Sequence, residues 1–153
     1  MPQAQFAILL LTVIPPLGLA DYHPTDCESV SKAENRNHVN PAPFVLSLLS
    51  GQVIAEGGNP GKSLGAIPKA CIGLFSEDDR GFIDSRVADD DGTFSFKGVP
   101  PGDYRLLVID PHKVFCMANI SIRIQWGNKA RGKRIVVHLK PTGIDTCSYA
   151  DYK

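Results

Sequence analysis

Residues 89–106 read Asp89-Asp90-Asp91-Gly92-Thr93-Phe94-Ser95-Phe96-Lys97-Gly98-Val99-Pro100-Pro101-Gly102-Asp103-Tyr104-Arg105-Leu106, and this stretch decides the fold. Asp91-Gly92 is a tight-turn dipeptide, in which the glycine supplies the positive φ that a hairpin needs. Phe94 and Phe96 are two residues apart and fall on one face of the strand that follows the turn. Pro100 and Pro101 fix φ and favour an extended crossover, while Gly102 permits the sharp entry into the next strand. Tyr104 begins that strand, where it can bury its ring while its hydroxyl bonds nearby backbone, as in a tyrosine corner. The stretch is a folding device and carries no catalytic chemistry.

Working outward, short runs rich in Val, Ile, Phe and Tyr alternate with Gly, Pro and Asp clusters. They predict seven strands: Phe44–Ala55, Ala70–Phe75, Phe82–Ala88, Thr93–Lys97, Tyr104–Ile109, Ala118–Gln125 and Arg134–Leu139. In Ile120-Ser121-Ile122-Arg123-Ile124 three isoleucines share a face and polar residues share the other. Such period-2 alternation marks strands with one buried and one wet face, hence antiparallel sheets. No useful window has a 3.6-residue period. The expectation is an all-β, seven-stranded antiparallel β-sandwich.

The same residues resemble the carboxypeptidase regulatory-like domain, a transthyretin-like β-sandwich. That family carries an Asp-x-x-Gly-x-Phe-x-Phe stretch followed by Gly-Val-Pro-Pro-Gly-x-Tyr, here residues 89–96 and 98–104. Ser50-Gly51-Gln52-Val53 is similar to the family's first-strand start, and Gly65-Ala66 before Ile72 and Leu74 to its second strand, with Ile67-Pro68-Lys69 inserted. The resemblance spans about residues 45–140. It implies an accessory, non-enzymatic role with a protein or carbohydrate ligand.

The ends suggest a compartment. Residues 6–14 are the most apolar run and are followed by Pro15-Pro16 and Leu17-Gly18-Leu19-Ala20, with small residues at 18 and 20. This reads as a secretory signal over 1–20, too short to span a bilayer, which takes about 20 apolar residues. His23-Pro24-Thr25-Asp26 before Cys27 is no lipobox. Residues 21–43 read as an extended polar leader, 44–140 as the sandwich and 141–153 as a C-terminal tail. The expected location is secreted, periplasmic or cell-surface. The four cysteines, Cys27, Cys71, Cys116 and Cys147, are even in number and none is spaced C-x-x-C. In an oxidising compartment they allow up to two disulfides in three connectivities; the preferred pairing is Cys71–Cys116 with Cys27–Cys147.

Sixteen Lys+Arg balance 16 Asp+Glu, which argues against non-specific nucleic-acid binding. None of the four histidines has H-x-x-E or H-E-x-x-H spacing, so the zinc peptidase that accompanies the resembled domain has no counterpart here. His138 alternates with Val137 and Leu139 and reads as a solvent-facing strand residue; His112 falls in a loop. The fold also hosts a purine-pathway hydrolase, but its Tyr-Arg-Gly-Ser terminus is absent from Ser148-Tyr149-Ala150-Asp151-Tyr152-Lys153. No catalytic residue and no cofactor is expected. Asp89 and Asp91, with Asp78, are weak cation candidates that lack EF-hand spacing. Trp126 with the basic turn Lys129, Arg131, Lys133 and Arg134 is the binding candidate; Trp126 either stacks on a ligand or caps the open end of the sandwich. Asn119-Ile120-Ser121 is a glycosylation sequon. The expected partner is a protein or glycan outside the cell, engaged at the loop tips or, for a purely structural protein, along an exposed edge strand.

Overall fold

The structure, a computed structural model, describes residues 27–31, 42–59, 61–79, 81–127, 130–142 and 148–153. The signal expected over 1–20, most of the leader, and Lys129 and Cys147 lie outside these residues. Ten strands form two five-stranded sheets around one core. They are β1 (Phe44–Leu46), β2 (Leu49–Glu56), β3 (Ser63–Ala66), β4 (Cys71–Ser76), β5 (Phe82–Val87), β6 (Thr93–Phe96), β7 (Gly102–Ile109), β8 (Ala118–Ile124), β9 (Ile135–Leu139) and β10 (Tyr149–Tyr152); a short helix, α1, spans Glu28–Ser31. The first sheet runs β1-β8-β7-β4-β5. The second runs β10-β9-β2-β3, with β6 also paired to β2.

The expectation of seven antiparallel strands is corrected in three ways. The long strand expected over Phe44–Ala55 breaks at Ser47-Leu48, and its halves join different sheets. The core forces this. Leu46 and Leu49 are both buried, yet residues three apart on one strand face opposite ways. A bend between the sheets lets both point inward and throws Leu48 out. Secondly, β1 pairs in parallel with β8 and β2 in parallel with β9, so the sheets are mixed. Thirdly, β3 and β10 stand outside the seven expected strands, β10 within the expected tail. Both are edge strands, and β10 pairs antiparallel with β9 through Tyr149↔His138 and Tyr152↔Ile135.

The deciding stretch behaves as its chemistry dictates. Gly92 takes φ 71°, and its carbonyl accepts the Val53 N–H at 2.8 Å. This sets the turn against the middle of β2, where β6 gives way to β3. Phe94 and Phe96 are buried in the core beside Val53, Ile135 and Leu106. The Tyr104 hydroxyl donates to the Pro100 carbonyl at 2.8 Å, closing the tyrosine corner.

The leader is not simply extended. Cys27 is bonded to Cys71, with 5.3 Å between the Cα atoms, so the expected Cys71–Cys116 and Cys27–Cys147 pairings are overturned. Cys71 sits on the outer face of β4, opposite the core-facing Ile72 and Leu74, and there it meets the leader. Cys27, Val30, Cys71, Phe75 and Leu107 make a second apolar cluster outside the first sheet. Gly73 provides its socket: a Cβ there would lie 2.1 Å from Val30 Cγ1. Cys116 carries a free thiol, half-buried ahead of β8, whose Sγ faces the Pro141 carbonyl at 3.7 Å.

Candidate functional site

Parallel pairing of β1 with β8 brings their C-terminal ends together. Leu46 lies opposite Ile124, and the Gln125 N–H donates to the Leu46 carbonyl at 3.0 Å. Leu48 and Trp126 both follow this junction, and their exposures are 70% and 81%. Trp126 therefore does not cap the sandwich. The turn beyond it is anchored by Ala130, which is buried and whose carbonyl accepts the Ser47 hydroxyl at 3.1 Å. Arg131 and Lys133 are exposed beside that anchor. The Lys133 ammonium sits over the Tyr152 ring, 4.8 Å from its centroid. The Leu46–Gln125 and Ser47–Ala130 links thus place Trp126, Arg131 and Lys133 at the same end of the sandwich as Leu48, which sequence reasoning missed. Its signal was an apolar residue between two others that must both be buried.

Two cation pairs stand further along the same end. Arg105 is buried and makes two hydrogen bonds to Glu77, at 2.8 and 3.1 Å. Arg123 does the same with Asp103, at 2.6 and 3.1 Å, and that carboxylate raises the Arg123 pKa.

The acidic turns have local work. The Asp89 carboxylate accepts the backbone N–H groups of Asp91 and Thr93, at 3.1 and 2.8 Å, and bonds the Thr93 hydroxyl. These bonds, the Thr93 hydroxyl's first, hold its pKa below the ordinary value. Asp79 closes the β4–β5 turn by accepting the Gly81 N–H at 2.9 Å. Asp89 therefore serves as the acceptor of its own turn. Among the described residues no group of three or more His, Cys, Asp and Glu is placed to hold a metal.

His138 is the larger correction. Its side chain is only 17% exposed, because β10 lies against it. The Tyr149 ring stacks on the imidazole at 4.4 Å and 6°. Nε2 is 3.4 Å from Asp151 Oδ2, and Nδ1 is 4.0 Å from Glu56 Oε2. Glu56 is itself buried at the end of β2 and accepts the Gly61 N–H at 2.7 Å. Burial pushes the Glu56 carboxyl up, but the Gly61 N–H, the Tyr149 hydroxyl, Lys140 and His138 together outweigh it, and its pKa is lowered. Burial, then the Glu56 carboxylate, raises the Tyr149 pKa. The cluster fastens β2, β9 and β10 to one another. His112 is exposed in the β7–β8 loop, where its backbone N–H donates to the buried Asp110. Asn119 lies mid-strand in β8, half-buried, with the sequon's Ser121 buried beside it.

A family model matches residues 48–138: the second β-sandwich domain of BOS complex subunit NOMO1-like proteins. The chain belongs to this family. The match runs from the bend before β2 to the penultimate residue of β9. It contains Leu48, Trp126, Arg131 and Lys133, and it leaves out Cys27, α1, β1 and β10. The resemblance to carboxypeptidase regulatory-like domains holds at the coarser level of a related sandwich. No curated protein matches the chain. A NOMO1-like sandwich is consistent with a non-enzymatic module, and the family's place in a complex subunit suggests protein partners. The Cys27–Cys71 bond fits a lumenal or extracellular domain. No helix among the described residues is long and apolar enough to cross a membrane.

Proposed function

We propose that this chain is a secreted or lumenal, non-enzymatic β-sandwich module whose work is to hold a protein partner. The observation that carries the reading is the disulfide from the leader to β4. It ties a segment outside the family match onto a domain otherwise drawn from a complex subunit, and such bonds persist in oxidising compartments. In this reading residues 1–20 are the removed signal, 21–43 a leader tethered at Cys27, 44–140 the docking body and 141–153 a tail that adds β10 to it. The polar clusters around His138 and Asp89 are engaged in fastening strands and closing a turn, which supports a holding role.

Expression of the full chain through a secretory pathway tests this. Peptide mapping with and without reduction should find a mature chain beginning at Asp21, with Cys27 and Cys71 blocked to alkylation until reduced. Retention of Met1 with both thiols free to alkylate defeats the compartment. Native size analysis of material from producing cells should find the chain in a complex larger than itself.

A further inference from the structure

Resting on that reading of a partner-holding module, we propose that the end of the sandwich bearing Leu48, Trp126, Arg131 and Lys133 docks a protein surface with an apolar pocket rimmed by carboxylates. The fold builds this surface. Parallel β1–β8 pairing places the two exposed apolar residues each two positions past the same junction, Leu46 opposite Ile124. The Ser47–Ala130 bond and the Lys133 N–H to Ala130 carbonyl bond at 3.4 Å hold the turn that carries the cations. Preorganised loops lose little entropy on binding.

The sandwich itself makes little use of either apolar residue. Adjacent exposed apolar side chains mark interaction sites, and Trp and Arg are the residue types that most often dominate binding energy. Charge identifies the occupant. At this end Arg105 and Arg123 each hold a carboxylate of this chain. Arg131 and Lys133 are paired with no carboxylate among the described residues. Unpaired positive charge beside apolar surface calls for carboxylates from outside. A protein fits better than an anionic bilayer for a geometric reason. The β4–β5 tip, Glu77 to Asp79, lies at the same end, since Ser76 pairs with Tyr104 and the Glu77 N–H donates to the Asp103 carbonyl at 3.2 Å. A flat anionic surface broad enough to cover the corner would meet these carboxylates as like charges. A partner covering only the Trp126 corner avoids them.

Trp126 is the only tryptophan in the chain, so its fluorescence reports the site directly. The full chain is titrated with synthetic acidic peptides carrying an aromatic or leucine anchor, with basic isomers of those peptides, and with phosphatidylcholine–phosphatidylserine vesicles. The expected result is a saturable blue shift with the acidic peptides, weakened at least about tenfold by Arg131→Glu with Lys133→Glu and unchanged by Lys62→Glu on the distant β2–β3 turn. No shift with the acidic peptides, a shift produced by the vesicles, or a shift that follows the chain's own concentration each overturns the proposal. Native sizing of Leu48→Ser/Trp126→Ala from producing cells separates the two readings. A complex that survives this change moves the docking surface elsewhere and leaves the partner reading standing. A wild-type chain that is monomeric wherever it is recovered ends both.

Discussion

Replacing Cys27 and Cys71 by serine should cost this protein about 4 kcal/mol of folding free energy. The bond closes a chain segment with a sequence separation of 44. Loop-closure entropy for a segment of that length comes to ~4 kcal/mol, within the ~2–5 kcal/mol lost when small secreted domains lose a native bridge. The structure says where the loss appears. Without the bond, the apolar hold on α1 centres on Val30 in the Gly73 socket, with Phe75 and Leu107 beside it. Burial of one valine is worth only about 1.5–3 kcal/mol, against about 1–2 kcal/mol of backbone entropy for each residue ordered. The helix should therefore come off before the sandwich unfolds. The assay is urea unfolding followed by circular dichroism, because Trp126 is exposed in the folded state and is a poor reporter of unfolding. The double variant and the reduced wild type should agree in losing ~4 kcal/mol, and thermal melts of the same samples should show a fall in melting temperature on the order of 15 °C. Cys116→Ser should change stability by less than about 0.5 kcal/mol. A loss below about 1 kcal/mol in the double variant would refute the assignment of the leader as a structural clamp.

Gly73→Ala places a methyl group into Val30 and should cost about 1–3 kcal/mol by overpacking; Val30→Ala on top should recover part of it, and a double-mutant cycle by thermal melts measures the coupling. Tyr104→Phe removes the bond to the Pro100 carbonyl and should cost ~1 kcal/mol in chemical unfolding, with an unchanged value showing that the corner is held by packing alone. Glu56 has a folded pKa lowered from its ordinary 4.5, so the unfolded chain binds more protons between the two values. Its contribution is fully present above the ordinary value and is lost as pH falls through it toward the folded one. The acid side of the melting-temperature profile should therefore be shallower in Glu56→Gln than in the wild type, and parallel profiles would show that the carboxylate adds nothing.

Much of the architecture was legible because the alternation in β6 and β8 is strong. A strand with Phe94 and Phe96, or Ile120, Ile122 and Ile124, on one side has only one way to face a core. Partner and direction were not legible. Whether β2 runs parallel or antiparallel to β9 depends on where the intervening chain crosses, which no local pattern reports. The bend at Ser47-Leu48 could have been read from the spacing of Leu46 and Leu49. The β3 strand could not, since all four of its residues are exposed and Gly65 holds φ 116°. At the docking corner the types Trp126, Arg131 and Lys133 were visible in the sequence, while Leu48 required the pairing of β1 with β8. His138 was misplaced because its environment comes from β10, a strand whose residues were assigned to a tail.

The missed disulfide had a signal that periodicity alone obscures. In Cys71-Ile72-Gly73-Leu74-Phe75 no residue is polar, and Leu106, Leu107, Val108 and Ile109 repeat the pattern on the neighbouring strand. A strand wetted on one side alternates, whereas a strand apolar on both sides is covered on both. Two adjacent strands of that kind therefore require a second cover outside the sandwich. The leader, with Cys27 and Val30, meets the requirement, and Gly73 leaves room for it at the point of closest approach. Cys71 shares its face with Gly73 and Phe75, so its thiol could never have met a core partner. The face on which a cysteine stands restricts its partner before any connectivity is enumerated, and here that face makes the leader part of the folded body.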